Sequence, residues 1–156
     1  MNKIEIPYYQ TLTLTHVVLD YNGTIAKDGQ LKKEVKDLLP VLCEHYTVHV
    51  ITADTFGSVK AQMEDFNVVV KVLQTDNHTA EKAAYVDGLG KENCVAVGNG
   101  NNDRQMLENA MLGIAIIGDE GCATPTLLHS DISCSNIADA LALLLNEKRM
   151  IATLRR

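Results

Sequence analysis

The chain has 156 residues, 46% of them hydrophobic and 22% charged, and its formal net charge is -6. This length suits one domain, expected to span residues 1–156, and the composition excludes the class of disordered chains. The negative charge argues against a general nucleic-acid-binding surface, so no nucleic acid partner is expected.

Hydropathy and cysteine spacing predict a cytoplasmic protein without a membrane partner. The first ten residues lack the basic and apolar regions of a secretory signal, and the strongest apolar run, 137–145, is far shorter than the ~20 residues that span a bilayer. The four cysteines are Cys43, Cys94, Cys122 and Cys134. Because no pair has C-x-x-C spacing, neither a zinc site nor a disulfide framework is predicted.

Short β-branched runs alternate with helical patterns along the chain. The runs predicted to be strands are 16–19, 47–51, 68–73, 94–97 and 113–117. They are apolar on both faces, which is typical of parallel strands covered by helices. The alternation predicts a doubly wound α/β domain, a three-layer sandwich around a mainly parallel sheet.

Two segments depart from this regular alternation. Residues 4–15 could add an edge strand or a hairpin, although Pro7 interrupts them. Pro40 lies inside the first helical pattern and predicts a kink or a restart there, since proline lacks the backbone donor.

Polar residues follow three of the predicted strands. Asp20 follows the first, Thr52 and Asp54 follow the second, and the loop 98–103 follows the strand that ends at residue 97. The carboxyl ends of parallel strands form one ligand crevice, so these residues are expected to converge there. Lys82 can reach the same crevice if its helix begins near residue 77.

Each of these residues has a chemical use. Asp20 can be a nucleophile or a ligand of a hard metal, and Asn22 and Gly23 beside it predict a tight turn with free amides. Lys82 can neutralise phosphate oxygens, and Asp103 could help Asp20 to hold magnesium. Taken singly, Asp103 could be a helix N-cap and Lys82 a surface lysine, but their ordered occurrence at strand ends favours phosphoryl transfer.

These motifs together resemble the haloacid dehalogenase (HAD) superfamily of phosphotransferases. The first motif is the sequence Asp-Tyr-Asn-Gly-Thr that begins at Asp20, and the fourth is Gly-Asn-Gly-Asn-Asn-Asp, which ends at Asp103. Thr52 and Lys82 resemble the second and third motifs. The pattern is most similar to the phosphorylation domain of P-type ATPases, as a stand-alone version with a Rossmann-like core.

The resemblance implies a role for each motif residue. Asp20 would attack phosphorus to form an aspartyl phosphate, while Thr52 and Lys82 would hold the phosphoryl oxygens. The implied cofactor is magnesium (Mg2+), with ligands at Asp20, the Asn22 carbonyl, Asn99 and Asp103. The implied substrate contacts are Gly23, Thr24, Ala53 and Asn102.

Two positions depart from the superfamily pattern. Asn22 occupies the catalytic position where phosphatases usually have an acid/base aspartate, so help typically worth ~10²–10⁴ in rate is missing. Asn99 stands where an aspartate often binds Mg2+, and its neutral oxygen should bind more weakly. The expectation is either slow hydrolysis or, as an alternative, a degenerate domain that binds phosphate or a partner without turnover. A purely structural role is a third reading.

The spacing between motifs leaves no room for a cap domain. Only a small flap around residues 26–30 and one helix fit between Asp20 and Thr52. The open site would be covered by a large substrate, a partner or a neighbouring subunit of a homo-oligomer. The substrate is expected to be a small phosphorylated metabolite, an acyl phosphate or a macromolecule.

Overall fold

The computed structural model describes residues 2–156, which form ten strands and seven α-helices. The strands are β1 (Asn2–Glu5), β2 (Thr11–Leu14), β3 (His16–Asp20), β4 (Ala26–Lys27), β5 (Gln30–Leu31), β6 (Thr47–Thr52), β7 (Val68–Val72), β8 (Cys94–Gly98), β9 (Leu112–Ile116) and β10 (Ile132–Cys134). The helices are α1 (Lys33–His45), α2 (Ser58–Met63), α3 (His78–Gly90), α4 (Arg104–Asn109), α5 (Thr124–Leu128), α6 (Ile137–Leu144) and α7 (Glu147–Leu154).

Six strands form one parallel sheet in the order β10-β9-β8-β3-β6-β7. The five predicted strands are confirmed, with small shifts at their ends. The short edge strand β10 was missed because it has only three residues. From β3 the chain runs outward through β6 and β7 and later returns to the other side of β3 with β8. The switch in direction therefore lies between β3 and β8, which is where ligands bind in open α/β sheets.

Helices cover both faces of the sheet, as the predicted three-layer sandwich requires. Successive residues of β3 point to opposite faces, so Val17 and Leu19 join one apolar cluster while Val18 joins the other. The larger cluster includes the buried sides of α1 and α6, and the smaller one includes those of α3 and α4. Burial on both faces fixes the strands and, with them, the positions of the residues at their ends.

Around the sheet, the hairpin alternative is confirmed for the N-terminal segment, and the expected restart of the helix at Pro40 is wrong. β1 and β2 pair with each other as a separate antiparallel hairpin, with Pro7 in the connection, and do not extend the main sheet. α1 continues through Pro40 without restarting. The ring lies on the exposed face of the helix, while Leu39 and Leu42 beside it are fully buried and hold the helix against the core.

Between β3 and α1 there is only the small β4-β5 ladder, so residues 2–156 contain no cap domain. The hydroxyl of Tyr21 donates a hydrogen bond to the Gly29 carbonyl at 2.9 Å and ties this flap to the end of β3. Over the same residues, no helix is both long enough and apolar enough to cross a membrane. The four cysteines are free.

Candidate active site

The three predicted polar clusters meet at the carboxyl edge of the sheet. Asp20, Thr52 and Gly98 are the last residues of β3, β6 and β8, which are neighbours in the sheet. They border a pocket of about 400 Å³. The predicted residues that line it are Asp20, Asn22, Thr52, Ala53, Lys82, Asn99 and Asn102. These seven residues therefore lie together, whereas Gly23, Thr24 and Asp103 are not part of the pocket lining.

Lys82 lies at the centre of a buried ion cluster. Its helix α3 begins at His78, as expected, because the Asn77 side chain caps it by accepting a hydrogen bond from Ala80 N. Lys82 Nζ donates to Asp20 Oδ1 at 2.9 Å and to Asp103 Oδ1 at 2.8 Å. A third bond goes to Asn102 Oδ1 at 3.0 Å. One ammonium group on α3 therefore links the end of β3 to the loop after β8.

The cluster contains more negative than positive charge. Burial raises the pKa of Asp20 to about 7, and the charge of Asp103 adds to this, although Lys82 and a hydrogen bond from Thr24 oppose it. Burial by itself would lower the pKa of Lys82, but the two carboxylates outweigh burial and raise it. Lys82 is therefore charged, and ionising Asp20 costs free energy in the absence of a further cation or donor.

Asp103 shapes the loop after β8. Its Oδ2 accepts hydrogen bonds from the backbone N–H groups of Asn99 at 3.0 Å and Gly100 at 2.9 Å, while its Oδ1 faces Lys82. A Cβ atom on Gly98 would lie 2.5 Å from Asp103 Cγ, so only glycine allows this close approach. With both oxygens engaged, Asp103 positions Lys82 and the loop from behind the pocket wall.

Asn99 and Thr24 lie on the other side of Asp20. Thr24 Oγ1 is 3.1 Å from Asp20 Oδ2 and 3.2 Å from Asn99 Oδ1, so both oxygens lie beside the same hydroxyl. Asn99 Nδ2 donates to the Gly121 carbonyl at 3.2 Å, which turns its Oδ1 toward Asp20. Oxygen ligands with one carboxylate suit a hard divalent cation that keeps some of its water, so these residues fit Mg2+.

The turn after Asp20 uses its backbone amides internally. The Gly23 N–H, expected to be free, donates to the Ala26 carbonyl at 3.0 Å, and the Thr24 N–H donates to the Tyr21 carbonyl at 3.3 Å. Gly23 has a φ of +78°, which favours glycine. These two amides are therefore engaged within the turn, which they stabilise.

Thr52 and Asp54 differ in role although they are neighbours. Thr52 is buried at the pocket wall, where its Oγ1 accepts a hydrogen bond from Asp54 N at 3.0 Å and keeps its own hydrogen available for a ligand. The Asp54 carboxylate accepts hydrogen bonds from Phe56 N, Ser58 Oγ and Val59 N, and these bonds lower its pKa to about 2. Asp54 thus orders the turn that leads into α2.

The sequence reasoning missed four residues that line the pocket. They are Leu73, His78, Glu120 and Ala123. Glu120 lies in the turn after β9, between Gly118 and Gly121, and its Oε2 is 2.7 Å from the point that a Cβ atom on Gly23 would occupy. The strand-end rule could have found it, because β9 is the next strand beyond β8 in the sheet.

Two proteins of Methanocaldococcus jannaschii resemble the chain in sequence. The uncharacterized protein MJ0073 is 53% identical over 90 residues, which are 53% of this chain and 97% of MJ0073. The chain belongs to the MJ0073 family. The uncharacterized protein MJ0072 is 46% identical over 39 residues, which are 25% of this chain and 89% of MJ0072.

Part of this MJ0073 family member is also similar in sequence to part of an enzyme. The phosphoserine phosphatase of Archaeoglobus fulgidus is 38% identical over 64 residues, which are 41% of this chain and 17% of that protein. No protein-family model matches the chain.

Solved structures identify the fold of this member of the MJ0073 family. The 3-deoxy-D-manno-octulosonate 8-phosphate phosphatase of Moraxella catarrhalis, solved with magnesium, phosphate and KDO, has a TM-score of 0.70 at 16% identity, covering 91% of this chain and 94% of that one. The cobalt-bound Haemophilus influenzae phosphatase has a TM-score of 0.68 at 12% identity, covering 89% and 92%. A zinc-transporting PIB-type ATPase has a TM-score of 0.63 at 18% identity, covering 78% of this chain and 20% of that one. The chain therefore has the HAD fold.

Proposed function

We propose that the chain is a Mg2+-dependent phosphohydrolase or phosphotransferase that forms an aspartyl phosphate on Asp20. The observation that carries this proposal is the ion pair between Asp20 and Lys82, which is buried in the pocket wall at the switch point of the sheet. A buried carboxylate aligned by a lysine and open to a pocket can attack phosphorus and have the resulting charge neutralised. The HAD fold and the sequence match to a phosphoserine phosphatase support the same reaction class.

In the proposed first step, Asp20 Oδ1 attacks the phosphorus atom of the substrate. The new bond joins Oδ1 to phosphorus, and the bond from phosphorus to the leaving oxygen breaks with its electron pair moving to that oxygen. Lys82 Nζ, 2.9 Å from Oδ1, would then contact a phosphoryl oxygen, and the Thr52 hydroxyl would donate to another. Positioning and charge neutralisation provide most of the rate in such reactions.

The proposed metal ligands are Asp20 Oδ2, Asn99 Oδ1 and the Asn22 main-chain carbonyl. Bound there, Mg2+ would neutralise part of the phosphate charge and reduce the repulsion between the phosphate and the Asp20 carboxylate. Asp103, included among the ligands by sequence resemblance, has both oxygens engaged by Lys82 and by backbone N–H groups. Its proposed role is therefore to position Lys82.

The proposed substrates are small phosphorylated metabolites or acyl phosphates, or a macromolecule that covers the pocket. A pocket of about 400 Å³ without a cap domain leaves the reacting atoms open to water. A second copy of the chain in a homo-oligomer could provide the same cover. Acyl phosphates suit the site best, because their leaving group needs no proton from the Asn22 position.

The test is to incubate the pure protein with radiolabelled acetyl phosphate and Mg2+, quench in acid and measure label on the protein. We expect a phosphoprotein that hydroxylamine releases, as an acyl phosphate requires. Asp20→Asn should carry no label. Asp37→Asn, which changes an exposed carboxylate on α1, is the matched control and should label like the unchanged protein. Equal labelling of the Asp20→Asn protein would contradict the proposal.

The side-chain amides of Asn22 and Asn99 favour a second candidate function, that of a domain that binds phosphate or a partner without turnover. Under this alternative the unchanged protein binds inorganic phosphate or Mg2+ but neither becomes labelled nor hydrolyses p-nitrophenyl phosphate. Asn22→Asp separates the two, because restoring the carboxylate should start turnover if the other groups are in place.

A further inference from the structure

We propose that Glu120 is the general acid and base of this site, in place of the carboxylate that position 22 lacks. This inference rests on the proposed function. Nothing in the four motifs indicates it, because Glu120 follows β9, outside the segments that carry those motifs.

The position of the Glu120 carboxylate is the first support. Its Oε2 lies 2.7 Å from the point where a Cβ atom on Gly23 would be, and Asn99 Nδ2 lies 2.9 Å from that same point. The carboxylate therefore lies directly over the turn that begins with Asn22, and the absence of a side chain on Gly23 makes room for it. Glu120 and Asn22 line the same pocket as Asp20.

The surrounding contacts hold this turn at the site. Gly121 N donates to the Gly118 carbonyl at 3.0 Å, and the Gly121 carbonyl accepts from Asn99 Nδ2 at 3.2 Å. Asp119 forms an ion pair with Lys32 at 2.7 Å on the outer side of the turn. The Asp119 carboxylate therefore pairs with Lys32, while the Glu120 carboxylate next to it lines the pocket.

The charges of the pocket leave Glu120 available for proton transfer. Of the two carboxylates among the pocket residues, Asp20 is ion-paired with Lys82, whereas Glu120 has no ion pair within residues 2–156. Glu120 is exposed and lines the pocket, so its carboxylate can meet a substrate oxygen or a water molecule that enters the pocket from solvent.

The proposed proton transfers balance in both steps. In the first, protonated Glu120 gives its proton to the leaving oxygen as the bond from phosphorus to that oxygen breaks. In the second, the Glu120 carboxylate takes a proton from water while the water oxygen bonds to phosphorus. The bond from phosphorus to Asp20 then breaks, and its electron pair returns to the Asp20 carboxylate. The products are inorganic phosphate and an enzyme in its starting state.

The experiment separates formation of the phosphoprotein from its decay. The protein is labelled with acetyl phosphate at saturating Mg2+, unlabelled substrate is added, and loss of label is followed. Glu120→Gln should form the phosphoprotein as the unchanged protein does, because acetate leaves without a proton, but decay should slow by about 10²-fold or more. Glu64→Gln, which changes an exposed carboxylate outside the pocket, is the matched control and should decay within about two-fold of the unchanged protein.

A rescue variant tests the assignment more sharply. In the double variant Asn22→Asp with Glu120→Gln, the restored carboxylate should recover about 10-fold or more of the lost decay rate. Glu120→Asp keeps the charge on a shorter side chain and should fall between the unchanged protein and Glu120→Gln. Thermal melts run in parallel check that the variants are folded.

Three results would overturn the assignment. One is a Glu120→Gln phosphoprotein that decays as fast as that of the unchanged protein, a result that would not contradict the proposed function. Another is slow decay in His78→Asn without an effect in Glu120→Gln, since His78 also lines the pocket. A third is a slow decay of the Glu120→Gln phosphoprotein that disappears when Mg2+ is raised above the level that saturates the unchanged protein. That result would make Glu120 a metal ligand. If the unchanged protein never becomes labelled, the proposed function itself fails.

Discussion

Replacing Asp20 with asparagine is expected to make the protein more stable while it abolishes phosphoryl transfer. Asp20 is 8% exposed and shares Lys82 with a second buried carboxylate. The amide introduced at position 20 would keep a hydrogen bond to Lys82 and would remove the uncompensated charge. Catalysis therefore requires an ionised carboxylate at a position where the stability of the fold favours a neutral side chain.

The pKa of Asp20 gives the magnitude. It rises from 3.8 to about 7, a change of about 3 pKa units, and each unit corresponds to about 1.36 kcal/mol. A raised pKa means that the folded state holds the proton more tightly, so the stability from Asp20 is present below its unfolded value and is lost as pH rises through about 7. At about pH 8 the substitution should add about 2–4 kcal/mol, or roughly 5–10 °C in Tm for a chain of this size.

The assay is a pH series of thermal melts in EDTA, without phosphate, for the unchanged protein and Asp20→Asn. The gain in Tm should be small near pH ~4, should grow between pH ~4 and pH ~7, and should level off by pH ~8. Asp37→Asn on the exposed face of α1 should show no such trend. A gain that does not grow with pH, or an Asp20→Asn protein less stable than the unchanged one at pH ~8, would refute the reasoning.

Four further substitutions test other parts of the molecule. Lys82→Met leaves buried carboxylates without a counterion and should cost about 3–5 kcal/mol in urea unfolding near neutral pH, with a smaller loss in acid. Gly98→Ala places a Cβ 2.5 Å from Asp103 and should lower the free energy of unfolding by about 1–3 kcal/mol. Gly88→Ala has open space around it and should raise that free energy by about 0.5–1 kcal/mol by stabilising α3. Urea unfolding measures both changes. Burial and a neighbouring histidine lower the pKa of His49 from 6.5 to about 4, so stability should fall as pH drops through that interval, and His49→Gln should flatten this loss in thermal melts.

The sequence predicts the sheet and the convergence of the motif residues because both depend on simple periodic patterns. Strands buried on both faces are continuous apolar runs, and parallel strands bring their carboxyl ends together whatever their exact bounds. The functional roles of these residues stay predictions, since the fold positions side chains without identifying a reaction.

Other features depend on contacts that no local pattern reveals. The Gly23 amide bonds to Ala26 because the turn closes on itself, and both oxygens of Asp103 are engaged only after α3 brings Lys82 beside them. Glu120 is one acidic residue in a glycine-bounded turn, and it becomes notable only beside Gly23 in the folded chain. In each case the partner is distant in sequence or defined by a turn geometry that composition does not specify.

The C-terminal end of the described chain lies against the connection between β1 and β2. The backbone N–H of Arg156 donates to the Pro7 carbonyl at 3.2 Å, and the Arg156 guanidinium lies 5.2 Å from the centre of the Tyr9 ring. The last residues therefore fasten the end of α7 to the hairpin connection, on a surface that shares no residue with the pocket lining.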